Sequence, residues 1–249
     1  RDRAAAALLI DPRSSRDRLL VASGGGAALT SAVEAAVARI ERAGHRTVAF
    51  HDVVPLQPGD YRGLSGFYAT VGWLVSGYLL ASLLGIASGA RVSTVRSVGS
   101  RLLILALYSL AAGLGGSLVI DTLLGAQTGH LLALAGVGAL LVFAAGAVTI
   151  ALQELVGIIG IGLAILLFVV LGNPSAGGAY QLPLLPGFWR AIGDALPNGA
   201  GVDTIRRIVY FGAHGITAHL ALLGGYCALA TAAALGVAAA RSRRTPVSD

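Results

Sequence analysis

Few residues in this 249-residue chain are placed to do chemistry. Two carboxylates, Asp121 and Glu154, stand beside or between long apolar runs, where an ionisable group is a functional candidate by default. Asp121 falls near the outer end of its run and Glu154 at a turn between two runs, so both reach interfacial water. The plainer reading is that they cap helices at the interface, and neither is deep enough for a proton relay. His45, His51, His130, His214 and His219 lie in loops or near run ends, without the paired spacing of a zinc helix. Cys227 is the single cysteine and sits inside the last apolar run, which leaves it no disulfide partner and the role of a small hydrophobe. The serines form no GxSxG elbow. With no Lys there is no GxxxxGK[ST] loop, and Ser23-Gly24-Gly25-Gly26 lacks the basic residue a nucleotide site wants. No enzymatic site is expected, and no cofactor or metal.

The segment 173–215 carries the most informative cluster. Leu182, Leu184, Leu185, Phe188, Trp189 and Ile192 gather before Leu196-Pro197, and Val202 to Phe211 sets Ile205, Ile208 and Val209 opposite Asp203, Arg206 and Arg207. Two apolar-faced helices too short to span, with Trp189 and Tyr210 as anchors, predict re-entrant or interfacial elements. A plain surface lid is the competing account. Phe188, Trp189, Arg190, Asp203, Arg206 and Tyr210 are the residues expected to line a substrate path or these outer helices.

The elements that position them follow from hydropathy. The chain is 55% hydrophobic and only 12% charged, well below the roughly 25% charged residues of a soluble domain. All eighteen basic residues are Arg, and Ala and Gly abound, which points to a GC-rich, bacterial source. Residues 1–66 read as soluble: an apolar run at Arg18 to Ala22, helical spacing from Leu29 to Ile40, and a strand from Thr47 to Val54. Ser31 and Glu34 predict a capping box at the helix start, with Gly44 after its end. This strand-helix-strand fragment is too small to bury a core alone, so it is expected to be the C-terminal part of a larger extracellular domain. Residues 67–249 form the transmembrane domain, with about five runs: Phe67 to Ser88, Leu102 to Leu124, His130 to Leu152, Leu155 to Gly172 and Ile216 to Ala240. Gln153 and Glu154 alone separate the third and fourth, predicting a tight hairpin. Gly77, Ala81, Gly85 and Gly89, and again Ala228, Ala232, Gly236 and Ala240, form ridges suited to close packing in lipid.

Arg91, Arg96 and Arg101 fill the first link, and Arg241, Arg243 and Arg244 follow the last run. The positive-inside rule puts both in the cytoplasm, and five crossings reconcile that with an extracellular segment 1–66. The net charge of +6 is explained by these membrane-edge arginines, so no nucleic acid partner is expected.

The outer loop resembles the segment between the last two spans of type II ABC exporter permeases and of phage-infection-protein-like membrane proteins. The matching residues are Asn173-Pro174-Ser175 with Gly177-Gly178, Leu184-Leu185-Pro186-Gly187-Phe188, Leu196-Pro197 with Gly199, and Asp203 to Arg206 before Phe211. The entry to the first span, Pro55 through Pro58-Gly59-Asp60 to Leu64-Ser65-Gly66-Phe67-Tyr68, is similar too. The resemblance implies an α-helical integral membrane protein with six spans in full, the first preceding Arg1. It also implies the permease subunit of an exporter for a lipid-like, glycan or hydrophobic molecule, working as a homodimer or heterodimer with a separate ATPase subunit. Arg91, Arg96 and Arg101 would then be a coupling loop, or simply a positive-inside anchor. A non-transporting receptor or envelope scaffold is the alternative.

Overall fold

In the computed structural model, residues 6–89, 91 and 94–243 are described; Arg244 lies outside them. The chain opens with a small α/β unit. Strand β1 (Ala6–Leu9) runs antiparallel to β2 (Arg16–Val21), and helix α1 (Ala27–Ala43) crosses over to β3 (Thr47–Asp52), which pairs with β2 in parallel. The predicted strand-helix-strand unit is present, and β1 is an addition. Its Leu8 and Leu9 are exposed, so no alternation marked it; hydrogen bonding to β2 alone defines it.

Arg46, just before β3, ties this unit together. Its guanidinium grips the buried Asp17 carboxylate with two bonds of 2.6 Å, and its Nη2 also donates to the carbonyls of Asp11 and Ser14. The Arg46 bond holds the Asp17 carboxyl well below its usual range, whereas burial and the adjacent Asp17 push Glu41 up.

The capping box is not used. Helix α1 starts four residues before Ser31, with Gly26 (φ 142°) at its N-cap and no side-chain cap from its own neighbourhood. Gln181 caps it instead, its Oε1 accepting from the Leu29 N–H at 2.9 Å. At the other end Gly44 has φ −86°, and His45 (φ 54°) makes the left-handed turn.

Among the described residues four helices are long and apolar enough to cross a membrane: α2 (Ser65–Ser88), α3 (Val95–Leu118, prolonged by a wider π-helical turn to Leu123), α4 (Leu131–Val156) and α9 (Thr217–Ser242). The fifth expected run, α5 (Ile159–Ile165) continuing through a π-helical segment into α6 (Gly172–Ser175), is shorter; at 1.5 Å per residue it reaches about 25 Å. Two further helices, α7 (Gly187–Gly193) and α8 (Pro197–Tyr210), precede α9. The hairpin turn falls at Gly157 (φ 73°), not at Gln153-Glu154, which remain helical and fully buried.

Helix α4 is the axis, packed against α2, α3, α5, α8 and α9. Close approach depends on small residues. A Cβ at Gly77 would lie 2.2 Å from the Val142 carbonyl, and one at Gly113 2.5 Å from that of Ala135. The ridge at Gly77, Ala81 and Gly85 is thus a packing face, while Gly89 ends α2. The second expected ridge is not: Ala228, Ala232, Gly236 and Ala240 are exposed, and α9 buries Ala230, Ala234 and Ala238. In an alanine-rich helix either stripe can pack closely, and the tertiary arrangement selects between them.

These contacts set a paired expectation. Gly77→Ala overpacks the α2–α4 contact and should cost about 1–3 kcal/mol, read as a lowered Tm in detergent, whereas Gly236→Ala meets no atom within 4 Å and should leave Tm unchanged or raise it.

Candidate functional site

Polar groups converge at two places, one at each end of the bundle. The first is the seam where the α/β unit meets α8. Pro197 opens this helix at its first turn, where a missing N–H costs nothing, and its amphipathic pattern buries Val202, Ile205 and Ile208. Helix α8 descends into the bundle: Gly201 packs on Thr70 and on Leu141, which is about 15 Å along α4 from Leu131. Below it Asn198, fully buried, donates to the Phe168 carbonyl at 2.9 Å and to Asn173 Oδ1 at 3.0 Å. The two short helices expected in the loop therefore differ. α8 is inside the bundle, and α7 lies at the surface with Phe188 61% exposed and edge-on to Trp189.

At its C-terminal end α8 is joined to the segment that precedes α2. Tyr210 Oη donates to Asp60 Oδ2 at 2.6 Å and accepts from the Gln57 N–H at 3.2 Å, while Asp60 Oδ1 takes the Ser65 N–H at the start of α2. Gly24 leaves room for the Tyr210 ring, since a Cβ there would stand 2.7 Å from it. Burial, and then the Asp60 bond, push the Tyr210 phenol well above its ordinary value. One turn back, Arg207 Nε is 2.6 Å from Asp203 Oδ2, its Nη1 donates to the His214 carbonyl, and His219 Nε2 is 3.6 Å from the same carboxylate. Arg206 Nη2 donates to the Gly177 carbonyl at 3.2 Å. Burial pulls its guanidinium below the ordinary value, against the opposing fields of Asp203, Asp60 and Tyr210. A cavity of about 340 Å³ opens beside these groups, and Thr30, Gln181, Asp203, Arg206, Arg207 and His214 are the polar residues that line it.

The second cluster, at the opposite end, is built on Glu154. Its side chain is fully buried. Arg241 of α9 approaches Oε2 at 2.9 Å and also donates to the Glu154 carbonyl; Arg101 of α3, 5% exposed, stands 3.6 Å from Oε1. Arg101 further bonds Ser88 Oγ at 2.7 Å and the Gly89 carbonyl, capping α2. One carboxylate thus holds three helices and, through Arg101, the end of a fourth. This corrects the expectation that Glu154 reaches interfacial water. It also removes Arg101 from any exposed link, while Arg96 is exposed and Arg91 reaches the Leu155 carbonyl at 3.4 Å.

Asp203, Arg206 and Tyr210 are brought together; Phe188, Trp189 and Arg190 do not line the cavity. Asp121 joins neither cluster. It sits in the π-helical turn after α3, its Oδ1 enclosed without a hydrogen-bond donor among the described residues. The sequence gives no sign of the contacts made here by Asp60, Gln181 and Arg241. Their partners are 87 to 152 residues distant, so no local spacing reveals them. No family model, curated protein or solved structure matches the chain.

Removing the Glu154 charge leaves Arg101 buried against no carboxylate. Glu154→Gln should therefore cost about 3–5 kcal/mol, measured by thermal unfolding in detergent, and Glu154→Leu combined with Arg101→Leu should recover a large part of it.

Proposed function

We propose that this chain is the permease subunit of an ABC-type exporter moving a lipid-like or hydrophobic molecule, with ATP hydrolysis on a separate subunit. The observation that carries the reading is α8, a short helix that enters a bundle of spanning-length helices from one side and ends near mid-depth on the buried Asn198. Discontinuous helices of this kind build substrate paths in transporters, and the resemblance to type II exporter permeases in the same loop supports the same class. Two open grooves on the bundle flanks, of about 440 and 470 Å³, are lined almost wholly by apolar side chains, which favours a lipid-like cargo over a glycan. Helices α3 and α9 bury little of their surface, leaving faces for lipid or for a second permease subunit.

In this reading the end carrying Arg91, Arg96, Arg101, Arg241 and Arg243 is cytoplasmic and the α/β unit is outside, in a bacterial plasma membrane. Exposed Arg96 and Arg91 offer the ATPase contact; Arg101, committed to Glu154, does not. The hydrogen bonds that join the α/β unit to the bundle through Asp60, Gln57 and Gln181 favour a second reading, a membrane scaffold that presents this unit to an extracellular partner.

Two measurements bear on these readings. Purification of the chain from its native membrane should bring an ATPase subunit in stoichiometric amount; a stable complex with an envelope protein and no ATPase favours the scaffold. In a Cys227→Ala background, cysteines at the exposed positions Ser31 and Ala179 should react with an impermeant thiol reagent on intact cells, and those at Ser97 and Ser242 should be protected. The opposite labelling pattern inverts the orientation.

A further inference from the structure

We propose that the cavity at the seam binds a single-chain anionic amphiphile, with Arg206 receiving a phosphate or carboxylate head and the apolar wall receiving the chain. The argument starts from charge pairing around Arg206. Asp203 presents its Oδ2 to Arg207 at 2.6 Å, and both oxygens of Asp60 are taken by Ser65 N–H and Tyr210 Oη. Among the described residues no carboxylate oxygen is within 4 Å of Arg206, whose side chain makes one hydrogen bond, to the Gly177 carbonyl. A guanidinium carries five N–H donors in a planar fork that matches carboxylate and phosphate. Holding such a half-buried cation with no carboxylate in direct contact is costly even in the fields of Asp203 and Asp60, and an anion in the adjoining space offsets that cost.

The space has the form such a ligand needs. Arg206 and Arg207 line the cavity, where the Asp203 charge is already paired with Arg207, and Leu29, Leu182, Pro183 and Phe211 give it apolar surface. At about 340 Å³ the cavity lies at the small end of ligand sites, about 300–1,000 Å³. It suits a head and a short stretch of one chain rather than a two-chain lipid. Gly25 lines it too, and a Cβ there meets only Phe211 Cζ at 3.6 Å, so that wall is open for lack of a side chain. The walls come from both bodies, Leu29 and Thr30 from α1, Gln181 and Leu182 from the loop, and Arg206 from α8. An occupant would therefore bridge the outer unit to the helix inside the bundle. As a statement about cargo this rests on the permease reading; as a statement about binding it does not.

The test uses the purified full chain in a neutral maltoside detergent, without any ATPase, so its failure is separate from that of the permease reading. Decyl phosphate and decanoate should raise Tm and bind saturably by calorimetry. Decanol and inorganic phosphate should bind at least about tenfold more weakly, as loss of a charge-assisted contact implies. Arg206→Gln should weaken decyl phosphate by a similar factor, and the exposed Arg39→Gln should not. Gly25→Leu, which narrows the cavity and retains the arginine, should weaken decyl phosphate as well and decides the matter if Arg206→Gln fails to fold. Equal binding of decanol, equal binding of inorganic phosphate, or unchanged affinity in either cavity variant overturns the proposal.

Discussion

The bundle depends on how closely α2 and α3 can approach α4. In hydrocarbon there is no hydrophobic drive to bring helices together, so backbone proximity and the dispersion contacts it permits must do so. Gly77 lets α2 reach the Val142 carbonyl and Gly113 lets α3 reach that of Ala135. With those two contacts made, α4 is enclosed over much of its length, and its polar residues must find protein partners rather than water. Gln153 donates to the Ala81 carbonyl, Thr149 to that of Ala145, and Glu154 takes Arg101 and Arg241. The small-residue contacts come first, and the buried polar pairs follow from the enclosure they create.

The same constraint explains α8. A helix of this length cannot cross the membrane, and its first turn presents N–H groups that need partners. Burying that turn in the bundle is feasible because Gly199, Ala200 and Gly201 bring almost no side-chain volume, and because Asn198 bonds the Phe168 carbonyl in the π-helical stretch that follows α5. A π-helical segment leaves carbonyls off the regular ladder, available to an outside donor. At the other end Tyr210 meets Asp60, so a single fourteen-residue helix links the middle of the bundle to the segment between the α/β unit and α2.

What the sequence revealed and what it hid divide along range. The period of Leu29, Val33, Val37 and Ile40 marked α1, and the faces of Val202 to Phe211 marked α8, because helical amphipathicity is written within a dozen residues. The start of α1 was misread because Ser31 and Glu34 satisfy a local capping rule, whereas the cap is Gln181, 152 positions away. Glu154 looked like a turn residue between two apolar runs; burial by α3 and α9, whose Arg101 and Arg241 are far from it along the chain, makes it an anchor. The α9 stripe was misplaced for a related reason: in a run rich in alanine every face looks alike until neighbours are known. Arg206 and Tyr210 were legible as members of an amphipathic helix, but not their contrast, one with few partners and the other tightly bonded.

The two polar clusters differ in what separation would cost. At the Glu154 end, drawing α9 or α3 away takes one of two arginines from a buried carboxylate, and losing both leaves that charge uncompensated, a penalty of about 3–5 kcal/mol. At the seam, parting the α/β unit from α8 breaks bonds to a phenol, an amide and backbone groups, each worth about 0.5–1.5 kcal/mol when neutral and about 1.5–3 when one partner is charged, and the groups released there lie beside a cavity and the exposed loop at 212–215. The seam can therefore loosen at lower cost per contact than the charged end. An anion on Arg206 would add a charge-assisted bond at this junction, so occupancy of the cavity would stiffen the attachment of the α/β unit to α8.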